Sequence, residues 1–459
     1  MLNWIWVTML VIAVVCGSLT GQLGEVTKSS VTSAGAAVEL AIGLVGVMAL
    51  WLGLMQVLQR GGLLRIVMRA ISPVTSRLFP DVPSDHPAMT MIVLNMTANM
   101  LGLTNAATPF GLKAMMELDK LNKQKGTATN AMALLLAINT SNIALLPTGM
   151  IGLRASLGAE VPGSILVPTF LSTLCSTTAA IIAAKFFQRF FPLPERPVEL
   201  DSPTESAGDA APDPGDLPDT SESEALIHAG APGGSTAERW AARVMSVLVV
   251  GALGYAAWGT WGQLIGDGAT PYASAGHFIA TSFSLVKIAA SEWLLAVLII
   301  VIALFGLGRG VKVYEVVVTG AKEGFQVALR IIPFLVAMLV AVGMLRASGA
   351  IDVMVNVLSP VTNFVGMPAE ALPMALVRSL SGSGAFAVAS EVMTVHGPDS
   401  LIGNMVSVMQ GSSDTTFYVL AIYFGVIQIK NTRHTLIACL IADTVGALAA
   451  VWFTRLFIS

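Results

Sequence analysis

Charged side chains are scarce in this chain, and their scarcity decides its class. Asp, Glu, Lys and Arg make up 12% of its 459 residues, whereas 54% are apolar. Soluble domains carry about a quarter charged residues, so the composition excludes an ordinary soluble protein. The chain also lacks a basic face large enough to bind nucleic acid. We therefore expect an all-α polytopic membrane protein, with the lipid bilayer as its main surroundings.

Sequence signatures of catalysis and of metal binding are missing as well. The chain contains no G-x-x-x-x-G-K-[ST] phosphate loop, no H-E-x-x-H motif and no recognisable group of nucleophile, base and orienting residue. Cys16, Cys175 and Cys439 lie in apolar segments without metal-ligand or disulfide spacing. His396 and Asp399 flank Gly-Pro, which predicts a solvated loop. We expect no enzymatic activity, no metal and no cofactor apart from a coupling cation or proton.

Apolar runs long enough to cross a bilayer, roughly 17–25 residues, recur along the chain. We predict crossings at residues 3–19, 34–58, 127–147, 164–186, 241–265, 291–307, 325–345 and 434–457. Polar residues interrupt three further apolar stretches, at 88–112, 368–392 and 400–430. Lipid cannot hydrogen-bond an opened backbone, so such stretches belong in a protein interior or beside a cavity. We interpret 88–112 as a broken or re-entrant helix of the kind that forms solute sites in transporters.

An acidic segment divides the chain into two halves. Residues 192–238 contain eleven acidic residues, eight prolines and a single basic residue, Arg196. This composition cannot bury a core, which predicts a disordered linker. The segment therefore separates a membrane half at residues 1–191 from a second at residues 239–459.

The two halves contain a repeat. Shifting residues 31–75 by 287 positions places them on 318–362, with eleven identities in forty-five positions and an identical Ser-Pro-Val-Thr in register. One deleted residue then aligns Asn95 with Ser381 and places both interrupted stretches at the same point of the repeat. Each half is therefore expected to form a similar set of helices.

The distribution of basic residues predicts how the halves are oriented. Basic clusters occur at Arg60, Arg65, Arg69, Arg77, Lys113, Lys120, Lys123, Lys125, Arg309, Lys312, Lys322, Lys430 and Arg433. The positive-inside rule places all of them in the cytoplasm, together with the linker. Segment 88–112 then has both ends in the cytoplasm and is re-entrant. Crossings 34–58 and 325–345 would run in opposite directions, which predicts inverted repeats.

Several long motifs resemble those of a known protein family. Residues 99–122 and 138–148 resemble spore maturation protein A, and the B protein is matched by residues 381–385, 397–403, 410–425 and 429–443. The chain resembles a natural fusion of the two. The resemblance implies a Gate, or nucleoside-recognition, domain in each half. In spore formers it also implies a role in spore maturation and core dehydration. The Gate domain is also associated with nucleoside transporters, but the resemblance does not identify a solute.

Asp414 is the strongest candidate for an ion-binding or coupling residue, because it lies among hydroxyl and amide side chains inside an apolar stretch. Such a cluster can bind a cation, relay a proton or bond a polar solute. The alternative is an extramembrane turn that caps a helix beginning near Thr415. The candidate residues here are Gln410, Ser412, Ser413, Asp414 and Thr415.

Amide side chains form two further candidate patches, at Asn95, Asn99, Thr104 and Asn105 and at Asn139 and Asn142. Amides can donate to and accept from a neutral polar solute such as a base or sugar. The alternative is hydrogen bonding between helices that holds the bundle together.

Arg378 precedes a Gly-rich turn with Ser381 and Ser383. A buried arginine needs a counter-charge, and Glu391 and Asp414 are candidates. Such an arginine could bind an anion, whereas the alternative is snorkelling to the membrane surface.

Together these features predict a multi-pass protein of the bacterial cytoplasmic membrane. Our first hypothesis is a secondary transporter or channel for a small polar solute, such as a nucleoside, that binds between the two halves. The rival hypothesis is a non-transporting scaffold or sensor that assembles an envelope complex through the acidic linker. Either protein could form a homo-oligomer.

Overall fold

The computed structural model describes residues 2–102, 104–192, 235–266 and 293–458, and this part of the chain is almost entirely helical. The acidic linker lies mostly outside it. The first half forms helices α1 Leu2–Leu19, α2 Leu23–Arg60, α3 Leu63–Leu78, α4 Pro87–Met100, α5 Thr104–Leu121, α6 Asn130–Thr140, α7 Thr148–Ser156 and α8 Leu166–Phe187. The predicted all-α class is confirmed.

The second half begins with a long helix and then repeats the order of the first. Its helices are α9 Thr236–Gly266, α10 Leu294–Gly308, α11 Val313–Ala347, α12 Ala350–Phe364, α13 Leu372–Leu380, α14 Gly382–His396, α15 Leu401–Ser412, α16 Thr416–Gly425 and α17 Thr435–Ile458. From α10 onward each helix has a counterpart between α1 and α8. The short amphipathic helices α3 and α12 each contain the proline of the Ser-Pro-Val-Thr repeat, Pro73 and Pro360.

The long helices α2 and α11 pack closely along most of their length. A Cβ on Gly320 would lie 2.7 Å from the Cα of Gly53, so the two backbones touch there. Near the other ends, a Cβ on Gly343 would meet the side chain of Ser33. These pairings show that α2 and α11 run antiparallel. Small residues permit such close approach in membrane bundles, where dispersion contacts drive helix association.

Four helical segments in the described part are long and apolar enough to cross a bilayer, at 23–60, 162–187, 236–258 and 435–458. They contain most or all of the predicted crossings 34–58, 164–186, 241–265 and 434–457. A fifth crossing could come from a pair of helical segments, 332–347 and 350–357, that bends by 75°.

The predicted crossing at 127–147 is wrong as a single helix. Helix α6 ends at Thr140, and residues 141–147 form an irregular break before α7. Every residue from Ala131 to Thr140 is buried. A broken helix of this kind needs protein on all sides, because lipid cannot satisfy its opened backbone groups.

The alignment of Asn95 with Ser381 is also wrong in three dimensions. Asn95 lies in the middle of α4, whereas Ser381 is the residue that separates α13 from α14. Helix α4 of the first half, from Pro87 to Met100, is longer than its counterpart α13 of the second half, from Leu372 to Leu380. A comparison with only one deleted residue therefore loses register inside these helices.

The membrane orientation of the halves stays a prediction, and reporter fusions test it. Inverted halves place Asp119, just before the end of α5, and Gly397, just after α14, on opposite membrane faces. A periplasmic reporter should therefore be active at one position and a cytoplasmic reporter at the other. Activity of the same reporter at both positions would exclude the inverted arrangement.

Candidate functional site

Helices α4 and α5 form a hairpin rather than one bent rod. The Asn95 amide donates a 2.7 Å hydrogen bond to the carbonyl oxygen of Ala107. Residues twelve apart in a continuous helix lie about 18 Å apart, so the chain must fold back between them. The turn contains Gly102, whose φ of 71° favours glycine. Asn95 is fully buried and therefore braces the hairpin from inside.

The tip of this hairpin is bonded to the break between α6 and α7. Asn99 donates to the side-chain oxygen of Asn139 over 2.8 Å, and the Leu145 backbone N–H donates to the carbonyl of Met100 over 3.1 Å. From α8, the Thr177 hydroxyl donates to the carbonyl of Ser141. Opened backbone groups of the break thus find partners on its neighbours, which lets a broken helix persist in the interior.

The second half contains a matching broken helix, formed by α15 and α16. Ser413 and Thr415 between them have extended backbone angles. The Asp414 backbone N–H donates a 2.6 Å hydrogen bond to the carbonyl of Thr140, the last residue of α6. The breaks of the two halves therefore meet directly. Crossed breaks of this type leave backbone and side-chain polar groups available in the middle of a protein.

Arg378 joins α13 to the second break. Its guanidinium donates to the carbonyl of Ser413 and, over 3.4 Å, to the hydroxyl of Thr415. It also lies 3.8 Å from a carboxylate oxygen of Asp414. Arg378 is 9% exposed, whereas the Asp414 side chain is 43% exposed. The arginine is therefore an internal counter-charge rather than a snorkelling residue, and Asp414 faces an opening.

Asp443 on α17 completes this cluster, and the sequence analysis missed it. Its Oδ2 accepts a 2.8 Å hydrogen bond from the Thr416 hydroxyl at the start of α16. Asp443 lies eight residues after Thr435, about 12 Å along the helix axis, and is 8% exposed. The signal was present in the sequence, because an ionisable residue deep in an apolar crossing is functional by default.

A cavity of about 250 Å³ opens beside the second break. Ser383 and Gln410 supply its polar groups, and Met48, Phe334 and Phe386 contribute apolar walls. The Gln410 amide donates to the carbonyl of Gly382 over 3.4 Å. Ligand pockets typically measure 300–1,000 Å³, so this cavity suits a small solute.

Glu391 lies apart from these residues. It forms a two-point ion pair with Arg346 at the end of α11, with 2.9 Å between the paired atoms. Of the two predicted counter-charges for Arg378, the structure brings Asp414 to it and gives Glu391 a different partner. Glu391 and Arg346 line another cavity, of about 330 Å³, together with Glu25 and Lys28 near the start of α2.

A family model described as Gate, nucleoside recognition, matches residues 41–157 and 328–430. Spore maturation protein A of Bacillus subtilis (strain 168) is 43% identical over 187 residues, which cover 41% of this chain and 95% of that protein. Spore maturation protein B of the same strain is 46% identical over 164 residues, or 35% of this chain and 92% of that protein. The chain belongs to the family of spore maturation proteins A and B. No solved structure matches it.

The two Gate matches in this chain contain both broken helices. The first match ends at residue 157, just after α7, and the second ends at residue 430, just after α16. The closing helices α8 and α17 lie outside both matches. Asp443, which belongs to α17, is thus a charged part of the cluster that the Gate description does not cover.

Loops of each half clamp the broken helix of the other half. At the end of α7, Arg154 is fully buried, pairs with Asp399 over 2.9 Å and donates to the carbonyl of Pro398. Arg433 of the second half donates to the carbonyl of Ala128 and to the side chain of Asn130, at the start of α6. The two broken helices therefore run antiparallel, each with its start held near the other's end.

The remaining predicted site residues lie in several different places. The side chains of Thr104 and Asn105 lie outside the described part of the structure. Asn142 is half-buried in the first break, and the buried Ser412 hydroxyl donates to its own helix at Met409 over 2.9 Å. Ser381 caps the start of α14 by accepting from the Gly384 backbone. Their participation in binding stays a prediction.

Proposed function

We propose that this protein is a secondary transporter of the bacterial cytoplasmic membrane that carries a small polar solute between its two halves. The observation that carries the proposal is the direct contact of the two breaks, through the Asp414 backbone and Thr140. Two discontinuous helices that cross near a midplane form solute and ion sites in many transporters. Charged groups stand at this contact, and a cavity with polar groups lies beside it.

The proposed solute is neutral or weakly charged, with hydrogen-bond donors and acceptors. Ser383 and Gln410 line the cavity beside the second break, and the buried side-chain oxygen of Gln410 lacks a hydrogen-bond partner among the described residues. An unpartnered buried acceptor is costly, so a solute that donates to it would gain binding energy. Nucleosides and nucleobases are the first class to test, since the matching family model is described as nucleoside recognition.

Transport in proteoliposomes tests the proposal. Purified protein should take up at least one labelled solute from a panel of nucleosides, nucleobases and amino acids when a proton or sodium gradient is applied. Asp414→Asn should reduce the uptake at least about tenfold, because it removes the exposed carboxylate beside Arg378 while preserving its shape. Asp352→Asn is the matched control, since Asp352 is an exposed carboxylate on α12.

The melting temperature of each protein distinguishes a loss of uptake from a loss of folding. Full uptake by a folded Asp414→Asn variant would remove Asp414 from the mechanism. Absence of uptake of any solute by wild-type protein that melts cooperatively would count against transport. Deleting residues 195–235 should leave uptake intact, because an acidic, proline-rich sequence of this kind is not expected to form a solute site.

A further inference from the structure

The cluster around the second break has unequal numbers of charges. Arg378 supplies one positive charge, and Asp414 and Asp443 supply one negative charge each. Arg378 and Asp443 are both more than nine-tenths buried. An uncompensated charge in the interior of a membrane protein is costly, so an excess carboxylate calls for a positive partner.

One atom of the cluster identifies where that partner belongs. Asp443 Oδ2 accepts from Thr416 and the Ser379 hydroxyl lies close to the carboxylate, but Oδ1 is buried without a hydrogen bond of normal geometry to any described residue. Carboxylate oxygens normally accept several hydrogen bonds or coordinate a cation when they leave water. Oδ1 does neither, which marks it as the incomplete position of the cluster.

The groups around Asp443 do not supply the missing charge. Helix α17 packs against α6, α8, α13, α15 and α16. We consider these helices together with the second break and the adjacent turn of α17. Their titratable and charged residues are Arg378, Asp414, Tyr418, Tyr423, Cys439, Cys175 and Lys185. Lys185 donates instead to the carbonyl of Leu78. Arg378 is shared among Asp443, Asp414 and the carbonyl of Ser413, so a single positive charge serves two carboxylates.

We infer that this cluster binds one monovalent positive charge, a proton or an alkali-metal ion, at Oδ1 of Asp443. Neighbouring hydroxyl groups, such as that of Thr416, supply further oxygen atoms of the kind that both ions accept. Asp414, whose side chain is 43% exposed, provides the route by which the ion reaches the cluster. The role of this ion rests on the proposed function, since a coupled carrier moves such an ion together with its solute. Binding of the ion does not itself require transport.

Thermal unfolding of the full-length protein in detergent tests the inference. Melting temperatures would be compared in sodium, potassium and N-methyl-D-glucamine chloride at equal ionic strength, and then across a pH series. Binding to the folded state alone should shift the wild-type midpoint by roughly 3 °C or more. Asp443→Asn should abolish that shift, because a neutral amide leaves Arg378 and Asp414 balanced. Asp443→Glu should retain it, and the control Asp352→Asn should respond as wild type does.

The outcomes separate the two ions and can overturn the inference. A shift between sodium or potassium and the organic cation assigns the site to an alkali-metal ion. A shift with pH alone, lost in Asp443→Asn, assigns it to a proton. Equal responses of wild type and Asp443→Asn would overturn the inference.

A second measurement covers the case in which Asp443→Asn does not fold. Labelled-sodium binding to wild type and proton release on adding sodium would both be measured, alongside the pH response of Asp443→Glu. Absence of sodium binding together with an unchanged midpoint across pH would overturn the inference. Solute uptake is not needed for any of these readouts, so a failure of the transport proposal would be seen separately.

Discussion

Replacing Arg154 with alanine is expected to destabilise the protein by about 2–4 kcal/mol, because it removes a large, fully buried side chain together with its hydrogen bonds. The side chain is fully buried, pairs with Asp399 and also donates to the hydroxyl of Ser164 over 3.2 Å. Alanine would leave a cavity and remove the donors that hold the 397–400 loop against the first half. Reversible unfolding in mixed micelles, followed by circular dichroism, would measure the loss.

A double-mutant cycle would isolate the pair. Arg154→Ala, Asp399→Asn and the double variant should give a coupling energy of about 1–2 kcal/mol, since the Asp399 side chain is 42% exposed and solvent screens the pair in part. The exposed pair of Lys312 and Glu315 is the matched control, with side chains 77% and 65% exposed, and its coupling should stay within about 0.5 kcal/mol. Equal couplings for the two pairs would show that the clamp between the halves contributes no more than a surface contact.

Arg378→Gln is expected to destabilise the protein by about 2–5 kcal/mol and to abolish solute uptake. The substitution removes the counter-charge of Asp414 and a donor to the Ser413 carbonyl. Two carboxylates would then remain at the second break without a cation. Unfolding and uptake would be measured on the same preparation, so that a folding defect is not mistaken for a transport defect.

Arg378 could stabilise the protein by balancing the two carboxylates or only by donating hydrogen bonds, and a second substitution distinguishes the two explanations. Adding Asp443→Asn to Arg378→Gln should restore part of the lost stability, because it removes one of the two unbalanced carboxylates. Adding Asp352→Asn, which changes a distant exposed carboxylate, should restore nothing. A double variant with Asp443→Asn that is less stable than Arg378→Gln alone would show that charge balance is not what Arg378 provides.

Long apolar runs and interrupting polar residues were enough to predict much of this fold. The runs at 34–58 and 434–457 are continuous because apolar side chains can face lipid along a whole helix. The prediction failed at 127–147, where an equally apolar run stops being helical at Thr140. Its opened backbone is satisfied by Met100 and by Thr177, which are distant in sequence, so a local pattern cannot reveal the break.

The candidate site shows the same division between local and distant information. Asp414 and Arg378 stood out because charged residues are conspicuous among apolar neighbours, and the structure brings them together. Glu391 stood out for the same reason, yet its partner is Arg346, on a different helix from the one expected. Asp443 carries the same sequence signal, a charged residue within an apolar crossing, but its contacts with the Thr416 hydroxyl and Arg378 arise only in three dimensions.

The glycine contact between α2 and α11 has a consequence for how the protein is made. Gly53 and Gly320 touch in the folded protein but are separated by 267 residues along the chain. Ribosomes add about 5–20 residues per second, so Gly53 waits roughly 15–50 s for its partner to be synthesised. Throughout that interval the glycine surface of α2 and the carbonyl of Thr140 lack the partners that the second half supplies. Folding of the first half alone therefore leaves a close-packing surface on α2 open until the second half is synthesised.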